Sequence, residues 1–198
     1  MDPRAMFRLP LFPLPIVLFP TASMPLHIFE PRYRRMVARC LEGDRRFGLL
    51  HHDADRQGPF LCEEGRVGCV AHIEESQPFP DGRSVLMVRG VERFHIEDGI
   101  ESEEPFYEAL VAPYVDGEAG EGIALRRARA LALFREVLQK LGEEPDRLAT
   151  LDTASELSFP LVRAVQAEAG WLQGFLEVRD EEARLELLEQ IFLAVLER

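Results

Sequence analysis

The sequence predicts an α+β protein in which a β-rich part is followed by a helical part. Before about residue 116, short β-branched and aromatic runs alternate with Gly, Pro and Asp, and after it apolar residues recur at helical spacing. Between the two parts, the segment 115–122 has three glycines. We therefore expect a β-rich subdomain over residues 1–115, a linker over 116–122 and a helical subdomain over 123–198.

Six segments of the first part have the composition of β-strands. They are Ile16–Phe19, Phe47–His52, Arg66–Glu75, Ser84–Gly90, Glu92–Glu97 and Phe106–Tyr114. An Asp-Gly pair, Asp81 and Gly82, predicts a hairpin turn before Ser84, because glycine accepts positive φ. The spacing predicts a mostly antiparallel barrel or bent sheet, with the proline-flanked first strand at an edge.

One helix interrupts the predicted strands. Pro31 suits a first helical position and Gly43 follows the predicted end. A buried stripe is expected from Tyr33, Met36, Val37, Cys40 and Leu41. The only basic cluster surrounds this helix: Arg32, Arg34, Arg35, Arg39, Arg45 and Arg46. We interpret it as a solvated face that balances an acidic molecule, with phosphate or RNA binding as the alternative.

Two longer helices are predicted in the second part. The first has an apolar face running from Ala124 to Leu141, and the second has one running from Leu185 to Val195. Asp180 and the two glutamates after it suit the N-terminus of the second helix. The region between them, roughly 145–177, is predicted to be helical in tendency but interrupted by Pro160, Gly170 and Gly174.

The composition excludes several classes of partner. The chain has 198 residues, of which 46% are apolar, so it can bury a core. The formal charge of −12 opposes nucleic-acid binding, which depends on clustered Lys and Arg. Five prolines between residues 10 and 25 oppose a membrane or signal helix at the N-terminus. Three cysteines, Cys40, Cys62 and Cys69, are typical of a reducing compartment, so a cytoplasmic protein is expected.

No catalytic, metal or cofactor site is expected. The sequence has no GxxxxGK[ST] or GxSxG motif, and its single lysine, Lys140, lies in an amphipathic helix. Cys62, Cys69 and His72 lack the spacing typical of zinc ligands, and on a strand Cys69 and His72 would face opposite ways. Even so, the Cys and His residues, with His51, His52 and Asp53 nearby, leave a small hydrolase or metal enzyme as a third hypothesis.

Several motifs resemble one known family. They are LPLFPLPIVLFP and MPLHIFEPRYRRM, then RFGLL, Gly65 to Val67, DGRS with VRGVERFHI, YEALV, and LQGFLEVRDEEARLELL. The last contains Gln173, Leu176, Glu177, Arg184 and Leu185. Together they resemble the N-terminal substrate-binding domain of the ATP-dependent Lon protease. The resemblance covers nearly the whole chain, and its N-terminal motif is the more specific one.

The resemblance implies a PUA-like pseudo-barrel followed by a helical bundle. It implies a non-enzymatic, ATP-independent module that binds exposed apolar segments of polypeptides, without a cofactor and without the motor and peptidase of Lon. Candidate peptide-binding residues are Phe29, Tyr33, Phe60 and Phe79, each of which could also serve packing. The alternative is an adaptor or regulator that docks on a separate protease or chaperone through the helical bundle.

Overall fold

The structure, a computed structural model, describes residues 5–143 and 151–197. Its strands are β1 (Phe7–Leu14), β2 (Ser23–Ile28), β3 (Arg46–His51), β4 (Val67–Pro78), β5 (Ser84–Gly99) and β6 (Tyr107–Pro113). Its helices are α1 (Pro31–Glu42), α2 (Ala54–Gln57), α3 (Ile123–Leu141), α4 (Ser158–Val162), α5 (Ala169–Glu177) and α6 (Glu181–Glu197). Within the described ranges, no helix is long and apolar enough to cross a bilayer.

The six strands form one sheet, and five of them pair into a closed ring. The order is β2-β5-β4-β3-β1-β6, and a further β5–β6 pairing closes the ring of β5, β4, β3, β1 and β6, while β2 lies outside it and pairs with β5 alone. The long strand β5 allows this, because its first half pairs with β2 and its second half with β6. All pairings are antiparallel except that of β1 with β3. The expected mostly antiparallel sheet is thus present, and Ser84–Gly90 and Glu92–Glu97 are parts of a single strand.

The predicted strand Ile16–Phe19 is wrong. The first strand is β1, Phe7–Leu14, and residues 16–19 have no strand conformation. Leu18 and Phe19 are buried, so their apolar character reflects packing and not strand pairing. The strand is also not at an edge, since β1 pairs with β6 through Leu11 and with β3 from Leu11 onward. Its prolines at 10 and 13 are tolerated because each has a partner strand on one side only.

Helix α1 begins at Pro31 and is followed by Gly43, as predicted. Tyr33, Met36, Val37 and Cys40 are buried as predicted, but Leu41 is exposed, so the buried stripe ends at Cys40. Four arginines of the cluster pair with carboxylates of the protein itself, and the interpretation of the cluster as a solvated face stays a prediction. Arg32 binds Glu30, Arg35 and Arg39 contact Glu104, and Arg46 binds Glu92.

The chain forms two compact units. The first contains residues up to Val115 together with Glu168–Leu176, and the second contains Asp116–Ala167 and the chain from Glu177. In the first unit, α5 is held by its own motif residues. The Gln173 amide donates to the Val67 carbonyl (3.0 Å), and Arg93 donates to the Leu176 carbonyl (2.6 Å). The Phe175 ring packs against that of Phe19 at 6.0 Å.

The second unit is built from α3, α4 and α6. The rings of Phe134 on α3 and Phe192 on α6 pack at 5.3 Å, among the buried residues Leu131, Leu185 and Leu188. Asp180 accepts hydrogen bonds from the N–H groups of Glu182 and Ala183, which caps α6 as its position predicts. The middle region is helical with an interruption, as predicted, but the interruption lies at residues 163–168 and not at the predicted residues. Helix α5 contains Gly170 and Gly174, and Pro160 lies in the first turn of α4. Residues 144–150 of the predicted interrupted region lie outside the described ranges.

One buried carboxylate on β6 links the sheet to α1. The side chain of Glu108 is buried and accepts hydrogen bonds from Arg8 on β1 and Arg39 on α1, the latter at 2.6 Å. Burial alone would raise its pKa, but the hydrogen bonds from Arg8 and Arg39 outweigh burial and lower the pKa to about 2. Glu108 therefore stays ionised over the whole physiological range.

Acid is expected to remove the stabilisation from Glu108. Because its folded pKa lies below the unfolded value, the stabilisation is complete above about pH 4.5 and is lost as the pH falls toward 2. The shift corresponds to roughly 3 kcal/mol. Urea unfolding at pH 7 and pH 3 should show that Glu108→Gln costs more free energy at pH 7. An equal cost at both pH values would contradict a lowered pKa.

Candidate functional site

The candidate site lies at the edge strand β2, outside the closed ring of strands. Strand β2 pairs only with β5, and the pairing of β1 with β6 ends at Leu11, three residues before β1 itself ends. The Gly90 N–H donates to the Ala22 carbonyl (2.8 Å). Because the N–H and C=O groups of an antiparallel strand point to alternate sides, the even-numbered residues of β2 bond to β5. The backbone groups of the odd-numbered residues, which include Pro25, point away from β5. Pro25 has no N–H, which protects this open edge from pairing with another sheet.

A cavity of about 190 Å³ lies beside this open edge. We call it the apolar cavity, and its lining is Phe12, Leu14, Pro25, Leu26, His27, Ile28, Phe29, Glu30 and Tyr33. It is thus bordered by the end of β1, by β2 and by the first turn of α1. The Phe12 and Tyr33 rings pack at 4.2 Å and form part of its wall. Apolar and aromatic side chains from three elements therefore surround one small space.

Aromatic side chains are exposed next to the apolar cavity. Phe29 follows β2 and is 58% exposed, and Phe79 in the β4–β5 hairpin is 37% exposed. The His27 ring lies 5.8 Å from that of Phe29 and 6.4 Å from that of Phe79. The hairpin is the predicted Asp-Gly turn, and Gly82 has a φ of +82°. Phe29, His27 and Phe79 thus form an exposed cluster of three rings beside the apolar cavity.

A second cavity, of about 420 Å³, shares Leu14, Glu30 and Tyr33 with the first. We call it the mixed cavity, and its further lining is Pro13, Pro15, Arg32, His52, Asp53, Ala54, Asp55, Pro59, Phe60 and Tyr107. The Phe60 ring contacts those of His52 (5.3 Å) and Tyr107 (4.8 Å). The lining of the mixed cavity thus combines prolines, aromatic rings and carboxylates.

Tyr33 lies between the two cavities and is only 2% exposed. Burial, as the largest cause, raises the pKa of its phenol to about 12. Its hydroxyl is buried and has no hydrogen-bond partner among the described residues. A buried hydroxyl without a partner is unusual, because leaving it unpaired costs free energy. Tyr33 therefore lines both cavities and carries a buried hydroxyl whose hydrogen-bonding capacity is unused among the described residues.

The structure places the four candidate residues around these cavities. Phe29 and Tyr33 line the apolar cavity, Tyr33 and Phe60 line the mixed cavity, and Phe79 belongs to the exposed cluster. Tyr33 and Phe60 are buried, whereas Phe29 and Phe79 are available at the surface. Sequence reasoning missed His27, His52 and Tyr107 as parts of this region. Of these three residues, only Tyr107 could have been found from the sequence, because it is an aromatic residue in a predicted strand.

The cysteine and histidine residues do not form a metal site in the described ranges. No group of three or more His, Cys, Asp or Glu side chains is arranged there to hold a metal ion. Cys69 is fully buried, and burial raises the pKa of its thiol to about 12. His52 Nε2 instead donates to the Gly58 carbonyl. Cys69 therefore behaves as a small apolar residue of the core.

Comparison with known proteins identifies relatives of the whole chain. A family model described as the "ATP-dependent protease La (LON) substrate-binding domain" matches residues 8–192. A Lon protease of Xanthomonas oryzae is 26% identical over 91% of this chain, and Lon protease 2 of Herpetosiphon aurantiacus is 27% identical over 93%. The chain spans only 22% and 23% of the length of these two relatives.

Solved structures show the same arrangement of strands and helices. A Lon N-terminal domain protein from Xanthomonas campestris aligns with a TM-score of 0.66 and 28% identity, covering 92% of this chain and 96% of that one. The N-terminal domain of Lon protease from the Mycobacterium avium complex aligns with a TM-score of 0.74 over 94% and 98%, and at 19% identity it supports the fold alone. From the match over residues 8–192 and these structures, we conclude that the chain belongs to the Lon substrate-binding domain family.

Proposed function

We propose that this protein is a non-enzymatic module that binds exposed apolar segments of polypeptides at the apolar cavity and its exposed aromatic cluster. The observation that carries the proposal is the position of Phe29, exposed beside a cavity lined by apolar side chains, in a member of a family named for substrate binding. Aromatic side chains supply a large contact area at a small entropic cost, so Phe29 and Phe79 are the expected anchors for a bound segment.

The proposal includes the finer architecture that the resemblance implies. We infer that the closed ring of strands is a PUA-like pseudo-barrel and that helices α3, α4 and α6 act as a bundle, with 116–122 as the linker. We also infer a cytoplasmic location, because Cys40, Cys62 and Cys69 are unpaired thiols. The formal charge of −12 supports polypeptide partners over nucleic acid or anionic membrane surfaces.

Peptide binding should depend on the exposed aromatic anchors Phe29 and Phe79. A peptide array incubated with the full-length protein should capture peptides rich in apolar and aromatic residues. Phe29→Ala and Phe79→Ala should each weaken binding about tenfold, because each removes an anchor worth roughly 1–2 kcal/mol. Leu61→Ala is the matched control, since Leu61 is 61% exposed but lies outside both cavities and should leave binding unchanged. Equal binding by all three variants would refute the proposed site.

The second candidate function is an adaptor that docks on a separate protease or chaperone. It is favoured by exposed leucines in the second unit, Leu125 and Leu141 on α3 and Leu193 on α6. If the adaptor function is correct, co-purification with a motor protein should be lost when Leu125 is changed to Ser. Phe29→Ala should not affect such co-purification, so this pair of variants separates the two functions.

A further inference from the structure

We propose that the mixed cavity binds a cationic side chain, arginine or lysine, of the bound segment. The inference rests on the proposed function, because it requires a positively charged side chain in the same segment that binds the apolar cavity. The two cavities share Leu14, Glu30 and Tyr33, so one extended segment can occupy both. The mixed cavity, at about 420 Å³, is large enough for a long side chain.

Unpaired hydrogen-bond acceptors in the lining support a donor as ligand. His52 is 6% exposed, and its Nε2 lies 2.9 Å from the carbonyl oxygen of Gly58. A carbonyl oxygen only accepts, so this contact assigns the hydrogen to Nε2 and leaves Nδ1 as an acceptor in the neutral ring. Nδ1 is buried and has no partner among the described residues.

The Tyr33 hydroxyl is the second group of this kind. It is buried and also lacks a partner among the described residues. Its raised pKa keeps the phenol neutral, so its oxygen can accept a hydrogen bond from a ligand and its hydrogen can be donated. Tyr33 and His52, which both line the mixed cavity, thus provide two acceptors that the protein itself leaves unused.

The charges of the lining favour a cation over an anion. Three carboxylates, Glu30, Asp53 and Asp55, face one arginine, Arg32, which is already paired with Glu30 at 2.9 Å. Outside the lining, Arg56 lies 3.6 Å from Asp53 and the Arg66 guanidinium lies over the Phe60 ring, and both reduce this excess. The acidic lining and the chain's formal charge of −12 both attract a basic segment.

Aromatic faces in the same lining already bind guanidinium groups of the protein. The Arg32 guanidinium carbon lies 4.5 Å from the centre of the Tyr33 ring and 5.9 Å from that of the Tyr107 ring. The Arg66 guanidinium carbon lies 4.6 Å from the Phe60 ring. These contacts show that the rings stack with guanidinium groups, and Arg32 and Arg66 of the protein itself occupy those faces. A ligand is therefore bound through its hydrogen-bond donors and its positive charge, and arginine, with five donors, fits better than lysine.

The test uses one peptide that the wild-type protein captures through Phe29. Versions of this peptide carry arginine, lysine, glutamine or glutamate at each position flanking the apolar anchor, and dissociation constants are measured by fluorescence anisotropy. At one flanking position, arginine should bind about tenfold more tightly than glutamine, with lysine between them. A ratio near one at every position, with Phe29-dependent binding intact, would overturn the inference and leave the proposed function standing.

Variants locate the effect in the mixed cavity. Tyr33→Phe removes only the hydroxyl, and Asp55→Asn removes one exposed carboxylate; each should lower the arginine-to-glutamine ratio at least threefold. Glu118→Gln causes the same change of net charge as Asp55→Asn but lies outside the cavity, and should leave the ratio unchanged. An equal loss in Glu118→Gln would show general attraction by net charge and would refute a specific site. Thermal unfolding verifies that each variant is folded.

A second measurement is independent of peptide capture. N-acetyl-arginine amide is titrated into the full-length protein while the His52 ring signals are followed by NMR, with N-acetyl-citrulline amide as the neutral isostere. Millimolar binding of the arginine compound that shifts His52, with a much weaker response to citrulline, would support the cation site. No response to the arginine compound would overturn it, even if no peptide is captured at all.

Discussion

Replacing Arg184 by methionine should unfold the second unit more readily than any surface substitution. The Arg184 side chain is fully buried, and its guanidinium binds both carboxylate oxygens of Asp116 at 2.9 and 2.6 Å. It also donates to Ser158 Oγ (2.7 Å) and to the Val178 carbonyl (2.7 Å). Methionine fills a similar volume but removes every one of these hydrogen bonds and the buried ion pair, so a loss of about 3–5 kcal/mol is expected.

Hydrogen exchange followed by mass spectrometry provides the measurement for Arg184. Faster exchange is expected across α3, α4 and α6, which belong to the same compact unit as Arg184. Arg163→Met is the matched control, because Arg163 is exposed at the end of α4 and should cost less than about 0.5 kcal/mol. Unchanged exchange in Arg184→Met would contradict a central role for this arginine.

The loss in Arg184→Met should also depend on pH. Burial raises the pKa of the Glu156 carboxyl, and Arg184, at 3.4 Å, opposes this effect. Without Arg184 the folded pKa rises further above the unfolded value, so the folded state is favoured by protonation. The variant should therefore lose stability as the pH rises from about 5 to 7, relative to the wild type. A penalty that is constant across this range would argue against coupling between Arg184 and Glu156.

Gly90→Ala is expected to have a comparably large effect in the first unit. A Cβ at Gly90 would lie 2.1 Å from the carbonyl oxygen of Phe19 and 3.1 Å from Cys69 Sγ. The first contact is with backbone, so no side-chain rotation relieves it. The same glycine exchanges backbone hydrogen bonds of 2.8 Å with Thr21 and Ala22. We expect a loss of about 3 kcal/mol or more, since overpacking here displaces main chain.

Urea unfolding monitored by the single tryptophan, Trp171, tests Gly90→Ala, because Trp171 lies in the same unit. Gly174→Ala is the control: Gly174 lies inside α5, and a Cβ added there would meet nothing within 4 Å. That control should be neutral or stabilising by about 0.5–1 kcal/mol, from helix propensity. The segment held by Gly90 leads into β2, so Gly90→Ala should weaken peptide capture as well. A variant as stable as the wild type would contradict this close approach.

Local patterns predicted most individual elements. Residues at the helix ends and 3.6-residue periodicity predicted helix α1 and the two long helices. The Asp-Gly pair predicted the β4–β5 hairpin. These signals depend only on residues close together in the chain. The prediction for residues 16–19 was wrong because an apolar run indicates burial, and burial does not require a partner strand. The predicted interruption at Gly170 was wrong for a related reason: packing of α5 within the first unit, through Gln173 and Phe175, outweighs a weak intrinsic propensity.

The sequence by itself determined the α+β class, the family and the four aromatic candidates, because composition, periodicity and motifs are properties of the linear chain. Only the tertiary structure decided that β5 is long enough to close the ring, that β2 keeps an open edge, and that Tyr33 and His52 border one cavity. These features depend on pairings between residues far apart in the chain. Such pairings leave no local pattern, since the energy that selects them comes from packing and hydrogen bonding in the folded state.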